Sequence, residues 1–248
     1  MSATAIILGR AGSKGVPGKN VAPIAGKPCG VWTIDLAQSS SSVSRVVVST
    51  DDTTLAALAR DRGATVIERP ADLASDTARI DDAARHAVQV LERGGTRFDA
   101  SAPIVILYAN VPVRPRDLID RAVALLSASG CDSVQSYQPV GKHHPWWTAR
   151  LDESGRVGPW EGDVLNHGVF RRQDLPPAFI PDGGIIALTR RALFCEIPGV
   201  APGPHAFFGH DRRGVINPEG SVVDIDAPTD LLVADAILRG TGGTRADR

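Results

Sequence analysis

From residue 4 to about residue 137, short apolar runs alternate with stretches of helical periodicity. Runs rich in β-branched residues predict strands over 5–8, 45–49, 64–67, 104–108 and 133–136. The spacing between them predicts helices over 30–38, 53–62, 78–93 and 116–129; in the third, Ile80, Ala84, Ala87, Val88 and Leu91 share one face. Strands separated by helices imply parallel crossovers and a sheet covered on both faces. The fold class is therefore α/β, and ligands are expected at the carboxyl ends of the strands.

The rhythm stops near Pro139. From 139 to 181 the chain carries six prolines, three of the four tryptophans and a hairpin-like stretch over 151–157. Trp146, Trp147 and Trp160 offer a large apolar area on a segment with little core of its own, so this is an arm expected to bury against a second copy of the chain or the nearby sheet. Strands are predicted again over 183–188 and 222–225. Asp226-Ala227-Pro228-Thr229-Asp230 then reads as an N-cap with proline in the first turn, opening a helix through Arg239, and 240–248 reads as a frayed tail. The expectation is one domain over 1–248 with an inserted arm.

Composition narrows the partners. A net charge of -1 provides no global basic field for nucleic acid or an anionic membrane. The longest apolar run, 102–109, is too short to span a bilayer, and the first residues lack the basic-then-apolar order of a secretory signal, so a cytoplasmic protein is expected. Cys29, Cys131 and Cys195 are odd in number and widely spaced, which suits reduced thiols.

The densest chemistry lies directly after the first strand, in Leu8-Gly9-Arg10-Ala11-Gly12-Ser13-Lys14-Gly15-Val16-Pro17-Gly18-Lys19-Asn20. Glycines at every third position let the backbone turn N–H groups toward phosphate oxygens, and Arg10 and Lys19 add full positive charge. A P-loop would need glycine at 13 and Ser or Thr at 20, where Ser13 and Asn20 stand; the dinucleotide fingerprint fails on its glycine spacing. Late in the chain, Val223-Asp224-Ile225-Asp226 sets two carboxylates at alternate positions, one face of a strand, where they suit a hard divalent cation. The competing reading makes Asp226 a helix cap and Asp224 a solvated edge residue. By composition alone, Ser75-Asp76-Thr77 reads as an N-cap, Arg69 as a surface charge, and 49–52 as a helix cap.

The 7–20 segment resembles the signature loop of the acylneuraminate cytidylyltransferases (CMP-sialic acid synthetases), whose relatives activate 3-deoxy-manno-octulosonate. The resemblance continues over 68–78, over Arg171-Arg172-Gln173-Asp174-Leu175-Pro176, and in the paired aspartates before the last helix. It implies a Rossmann-like, mixed, mostly parallel nucleotidyltransferase sheet with helices on both faces and a dimerisation arm. It further implies that CTP lies on Leu8, Gly9, Arg10, Ala11, Gly12, Ser13, Lys19 and Asn20, with Arg69 and the backbone at Ala78 on the cytosine; Asn110, although it departs from the family pattern, is expected to touch phosphate or metal-bound water. Tyr108, Arg114, Arg172 and Asp174 would face the acceptor, Arg172 across a dimer, and Asp224 and Asp226 would hold Mg²⁺. Arg10, Lys19, Asp224 and Asp226 would then neutralise charge as CMP passes from CTP to the anomeric hydroxyl of a 2-keto-3-deoxy sugar acid. Arg79-Ile80 stand where the family has serines, and Tyr108-Ala109-Asn110 depart from the family's acceptor segment. The first departure bears on the ribose contact, and the altered 106–115 segment keeps open another anionic acceptor, such as an octulosonate or a phosphonate; a silent nucleotide-binding protein is disfavoured by the intact loop and aspartates.

Overall fold

The computed structural model describes residues 2–242. In chain order it comprises β1 (Ala3–Gly9), β2 (Pro23–Ile24), β3 (Lys27–Pro28), α1 (Cys29–Ser39), β4 (Val43–Thr50), α2 (Thr53–Asp61), β5 (Thr65–Glu68), α3 (Ile80–Arg93), β6 (Pro103–Tyr108), α4 (Leu118–Ser129) and β7 (Ser133–Pro139). There follow β8 (Ala149–Leu151), β9 (Val157–Pro159), β10 (Phe179–Thr189), α5 (Arg190–Leu193), β11 (Arg212–Ile216) and α6 (Pro228–Gly242).

Seven strands form one sheet in the order β11-β7-β10-β6-β1-β4-β5. β1 runs parallel to β4 and β6, β4 to β5, and β7 to β11, while β10 is antiparallel to both its neighbours. The sheet is mixed and mostly parallel, as expected. Alternation along β1 sorts the core into two layers: Ala3, Ala5 and Ile7 pack with Ile34, Leu55 and Leu118 of α1, α2 and α4, whereas Ile6 and Leu8 pack with Ala84, Ala87, Val88 and Leu91 of α3. A smaller cluster joins Val16 of the glycine loop to Ile225 and to Ala234 of α6.

Several expectations need correction. Residues 222–225 are not a strand; only Val113 and Val223 form an isolated antiparallel bridge. β11 and the short α5 have no counterpart in the sequence reading. Asp226 does not cap α6; instead the Asp230 carboxylate accepts the N–H groups of Asp226 and Ala227 at 2.9 and 2.7 Å, with Pro228 opening the helix. The helix extends to Gly242, past the expected tail start at 240, and 243–248 lie outside the described residues. Among the described residues, no helix is long and apolar enough to cross a membrane.

The 139–181 arm is held by its own contacts. β8 and β9 form the hairpin read from 151–157. Trp146 stacks on His167 with ring centroids 4.6 Å apart, and Trp147 Nε1 donates to the Val169 carbonyl. Of the three arm tryptophans, only Trp160 stays largely exposed. His144 is buried and bonds the Pro176 carbonyl through Nε2, so it is part of the arm's framework.

Candidate functional site

β1, an interior strand of the sheet, ends at Gly9, a position where only glycine fits because a side chain has no room. A Cβ on Gly9 would sit 2.6 Å from Leu55 Cδ2 and 2.9 Å from Ala109 Cβ. The loop that follows is pinned at both ends. Buried Asn20 donates from Nδ2 to the Arg10 carbonyl at 2.8 Å, and Val16 inserts into the small core beside Ile225. Gly15 packs directly on the main chain of Asp226, where any Cβ would overlap the carbonyl oxygen. Lys19 Nζ reaches the Asp226 carboxylate at 2.7 Å. Residues more than two hundred positions apart therefore meet at the carboxyl end of β1.

The aspartates reach this place without a strand. Ile225 N–H donates to the Asn110 carbonyl at 2.9 Å and Val223 N–H to the Val113 carbonyl at 3.2 Å, which lays 223–225 along the segment leaving β6. Asn110 Nδ2 donates to the Asp224 carboxylate. Burial chiefly, and then the neighbouring charge of Asp226, push the Asp224 carboxyl above the ordinary aspartate range, with Lys19 and Arg114 opposing.

A cleft of about 330 Å³ opens here, lined by Leu8, Gly9, Arg10, Ser13, Lys19, Asn20, Arg69, Ala78, Tyr108, Asn110 and Asp226 from the predicted set. Arg69 corrects its composition-only reading as a surface charge. It is buried, Nη2 donates to the Ser49 carbonyl at 2.6 Å, and burial pulls its pKa down to about 10. Tyr108 forms part of the wall, its phenol pushed up to about 12 by burial and by the nearby Asp224 charge.

Other predicted residues stand elsewhere. Ala11 and Gly12 are on the loop but not on the cleft wall; the Ala11 N–H donates to Asp51 Oδ1 at 2.9 Å. Asp224 lies behind Asn110. Arg114 does not face the cleft: it is buried, and its guanidinium donates to the carbonyls of Gly184, Tyr108 and Val111 and to the Thr33 hydroxyl, bracing the turn after β6. That structural role replaces the acceptor contact expected of it. Arg172 pairs with Glu219 at 2.8 Å and Asp174 with Arg171 at 2.6 Å, both exposed on the arm and outside the cleft of their own chain.

The sequence reading left four residues without a site role. Lys14 and Arg79 line the cleft, Asp76 pairs with Arg10 and Lys14, and Asp51 holds the loop backbone. Asp51 directly follows β4 and lies at the same carboxyl edge as the loop, a signal available from strand order. The 49–52 cap is as expected, through Asp52, which accepts from Thr54 and Leu55. The expected cap over 75–77 is absent: Arg79 is the N-cap of α3 and makes no side-chain capping bond.

A family model described as "Cytidylyltransferase" matches residues 4–149. The chain is 34% identical to the CMP-N,N'-diacetyllegionaminic acid synthase of Legionella pneumophila, over 96% of this chain and 97% of that one. It is 37% identical to the N-acylneuraminate cytidylyltransferase of Escherichia coli, over 98% of this chain and 54% of the relative. With the corresponding enzyme of Streptococcus agalactiae identity is 31% over 79% of this chain, which spans only 45% of that relative's length. A solved structure of CMP:2-keto-3-deoxy-manno-octonic acid synthetase complexed with CTP superimposes with a TM-score of 0.68, covering 97% of this chain and all of the other at 17% identity, a likeness of fold.

Proposed function

The chain belongs to the cytidylyltransferase family, and on that premise we propose that it transfers CMP from CTP to the anomeric hydroxyl of a sialic-acid-like 2-keto-3-deoxy sugar acid. The observation that carries this reading is the closure of the glycine loop on Asp226, through Gly15 and Lys19, beside buried Arg69. Arg10, Lys19 and the loop N–H groups take the triphosphate oxygens, and Arg69, held by Ser49, addresses the cytosine with the backbone at Ala78. The sugar hydroxyl gives up its proton to solvent as its oxygen attacks the α-phosphorus, the bond from that phosphorus to the bridging oxygen breaks, and pyrophosphate leaves. The residues' task is positioning and charge neutralisation, since in-line phosphoryl transfer leaves little covalent work to the protein.

Mg²⁺ fits the donor set: Asp224 and Asp226 are hard oxygen donors two residues apart, and the Asp224 carboxyl, raised chiefly by burial and then by the Asp226 charge, is one whose charged form a cation would favour. Held by these two residues, it would neutralise phosphate charge during transfer. The 139–181 arm is read as a homodimer contact, its exposed Leu151, Trp160, Val164 and Phe170 being too apolar for a solvated face. Tyr108 in the cleft wall favours a second reading of the acceptor, in which an octulosonate or a phosphonate replaces the nine-carbon acid.

Pyrophosphate release from CTP, measured against a panel of keto-acid sugars and phosphonates with Mg²⁺ present or chelated, tests both. Release is expected with a sialic-acid-like member and is lost on chelation. Release only with a phosphonate or octulosonate selects the second reading; no acceptor-dependent release refutes the transfer.

A further inference from the structure

Two cations of the glycine loop are already matched by one of the protein's own carboxylates. Arg10 Nη1 lies 2.6 Å from Asp76 Oδ1, and Lys14 Nζ lies 2.5 Å from Asp76 Oδ2. Asp76 sits between cleft-lining Ser75 and Ala78, on the wall facing the loop. One carboxylate gripped by two cations reproduces the pattern in which two such groups grip a phosphate.

Asp76 has no competing duty that would explain it. It does not cap α3, and among the described residues its side-chain bonds go only to Arg10 and Lys14. All three side chains are accessible to solvent, with relative exposures of 40% for Asp76, 33% for Arg10 and 83% for Lys14, so the contact can exchange for another anion without unpacking a core. The two cations hold its carboxyl below the ordinary range, Lys14 more than Arg10, which keeps the tethered charge in place at neutral pH.

We infer that Asp76 is a specificity-determining residue: a tethered anion that competes with ligand phosphates for Arg10 and Lys14. A ligand gains the full strength of this end of the cleft only if its own phosphates reach both cations and replace what they displace. A triphosphate, or the pyrophosphate it yields, meets that condition, whereas a nucleoside leaves the Asp76 contact intact. The inference rests on the proposal that the glycine loop takes a triphosphate.

Calorimetric titration of the full chain with CTP, inorganic pyrophosphate and cytidine, for the wild type, Asp76→Asn and Asp76→Ala, tests it. Both substitutions are expected to tighten CTP and pyrophosphate by roughly threefold, the scale of an exposed carboxylate bridging two cations, and to leave cytidine unchanged. The gain shrinks in high salt, which screens exposed pairs. Asp76→Glu keeps the charge and stays near wild type. Unchanged or weaker CTP and pyrophosphate binding overturns the inference, and a loss shared by cytidine makes Asp76 a nucleoside contact instead. If the wild type binds neither CTP nor pyrophosphate, the triphosphate reading fails first.

Discussion

Asp224 and Asp226 are two residues apart and differ in surroundings: Asp224 is half-buried under Asn110, and Asp226 is exposed against Lys19. Burial and the second carboxylate raise the pKa of Asp224. The folded chain then binds that proton more tightly than the unfolded chain, so this site's contribution to stability is greatest below the unfolded pKa and is lost as pH rises through the folded one. Asp224→Asn keeps an oxygen for Asn110 Nδ2 and removes the charge. It is expected to melt at or above the wild-type temperature at neutral pH, with the gap closing in acid, while pyrophosphate release falls by roughly a hundredfold or more. Melting curves at two pH values decide it: a deficit present at both makes Asp224 structural. The sequence made the pair visible through its spacing but not this asymmetry, because the partners Asn110 and Lys19 lie more than a hundred residues away.

Among the elements, what was legible is what local pattern controls. The strands that became β1, β4, β5 and β6 are β-branched runs, and their order alone put the glycine loop at a carboxyl edge. β11 escaped notice because Arg212-Arg213-Gly214 carry no apolar signal and only Val215 of the strand is buried. Residues 222–225 carry a strand pattern, but their partner segment contains Pro112, which offers no N–H to extend a ladder. Helix α2 and the glycine loop can be separated by mutation. Asp52→Ala removes the cap of α2 and is expected to destabilise by about 1 kcal/mol, with KM for CTP unchanged. Gly15→Ala forces the loop off the Asp226 main chain, costing ~1–3 kcal/mol and raising KM for CTP roughly tenfold or more. Denaturant unfolding and steady-state kinetics measure both, and equal KM effects from the two would contradict the division of labour.

At the scale of the whole molecule, the arm places Arg172 outside its own chain's cleft while exposing Phe170 at 84% and Leu151 at 70%. If the arm binds a second copy, burial of those side chains drives association and carries Arg172, now resting on Glu219, toward the neighbour's acceptor. The two contributions can then be supplied by different chains. Asp226→Asn disables a cleft and Arg172→Ala disables an arm, so each homodimer is expected to be impaired. After unfolding and refolding an equal mixture, mixed dimers hold one cleft with an intact Asp226 facing an intact Arg172. Half of the dimers are mixed and half of their clefts complete, so roughly a quarter of wild-type activity is expected. Activity that only averages the two parents would place Arg172 outside the acceptor site or within its own chain's reach. Phe170→Glu provides the control: if the arm pairs two copies, it is expected to shift the protein to monomer in sedimentation and to abolish the recovery, because a charge on the arm's exposed apolar face opposes pairing while leaving each cleft's own residues untouched.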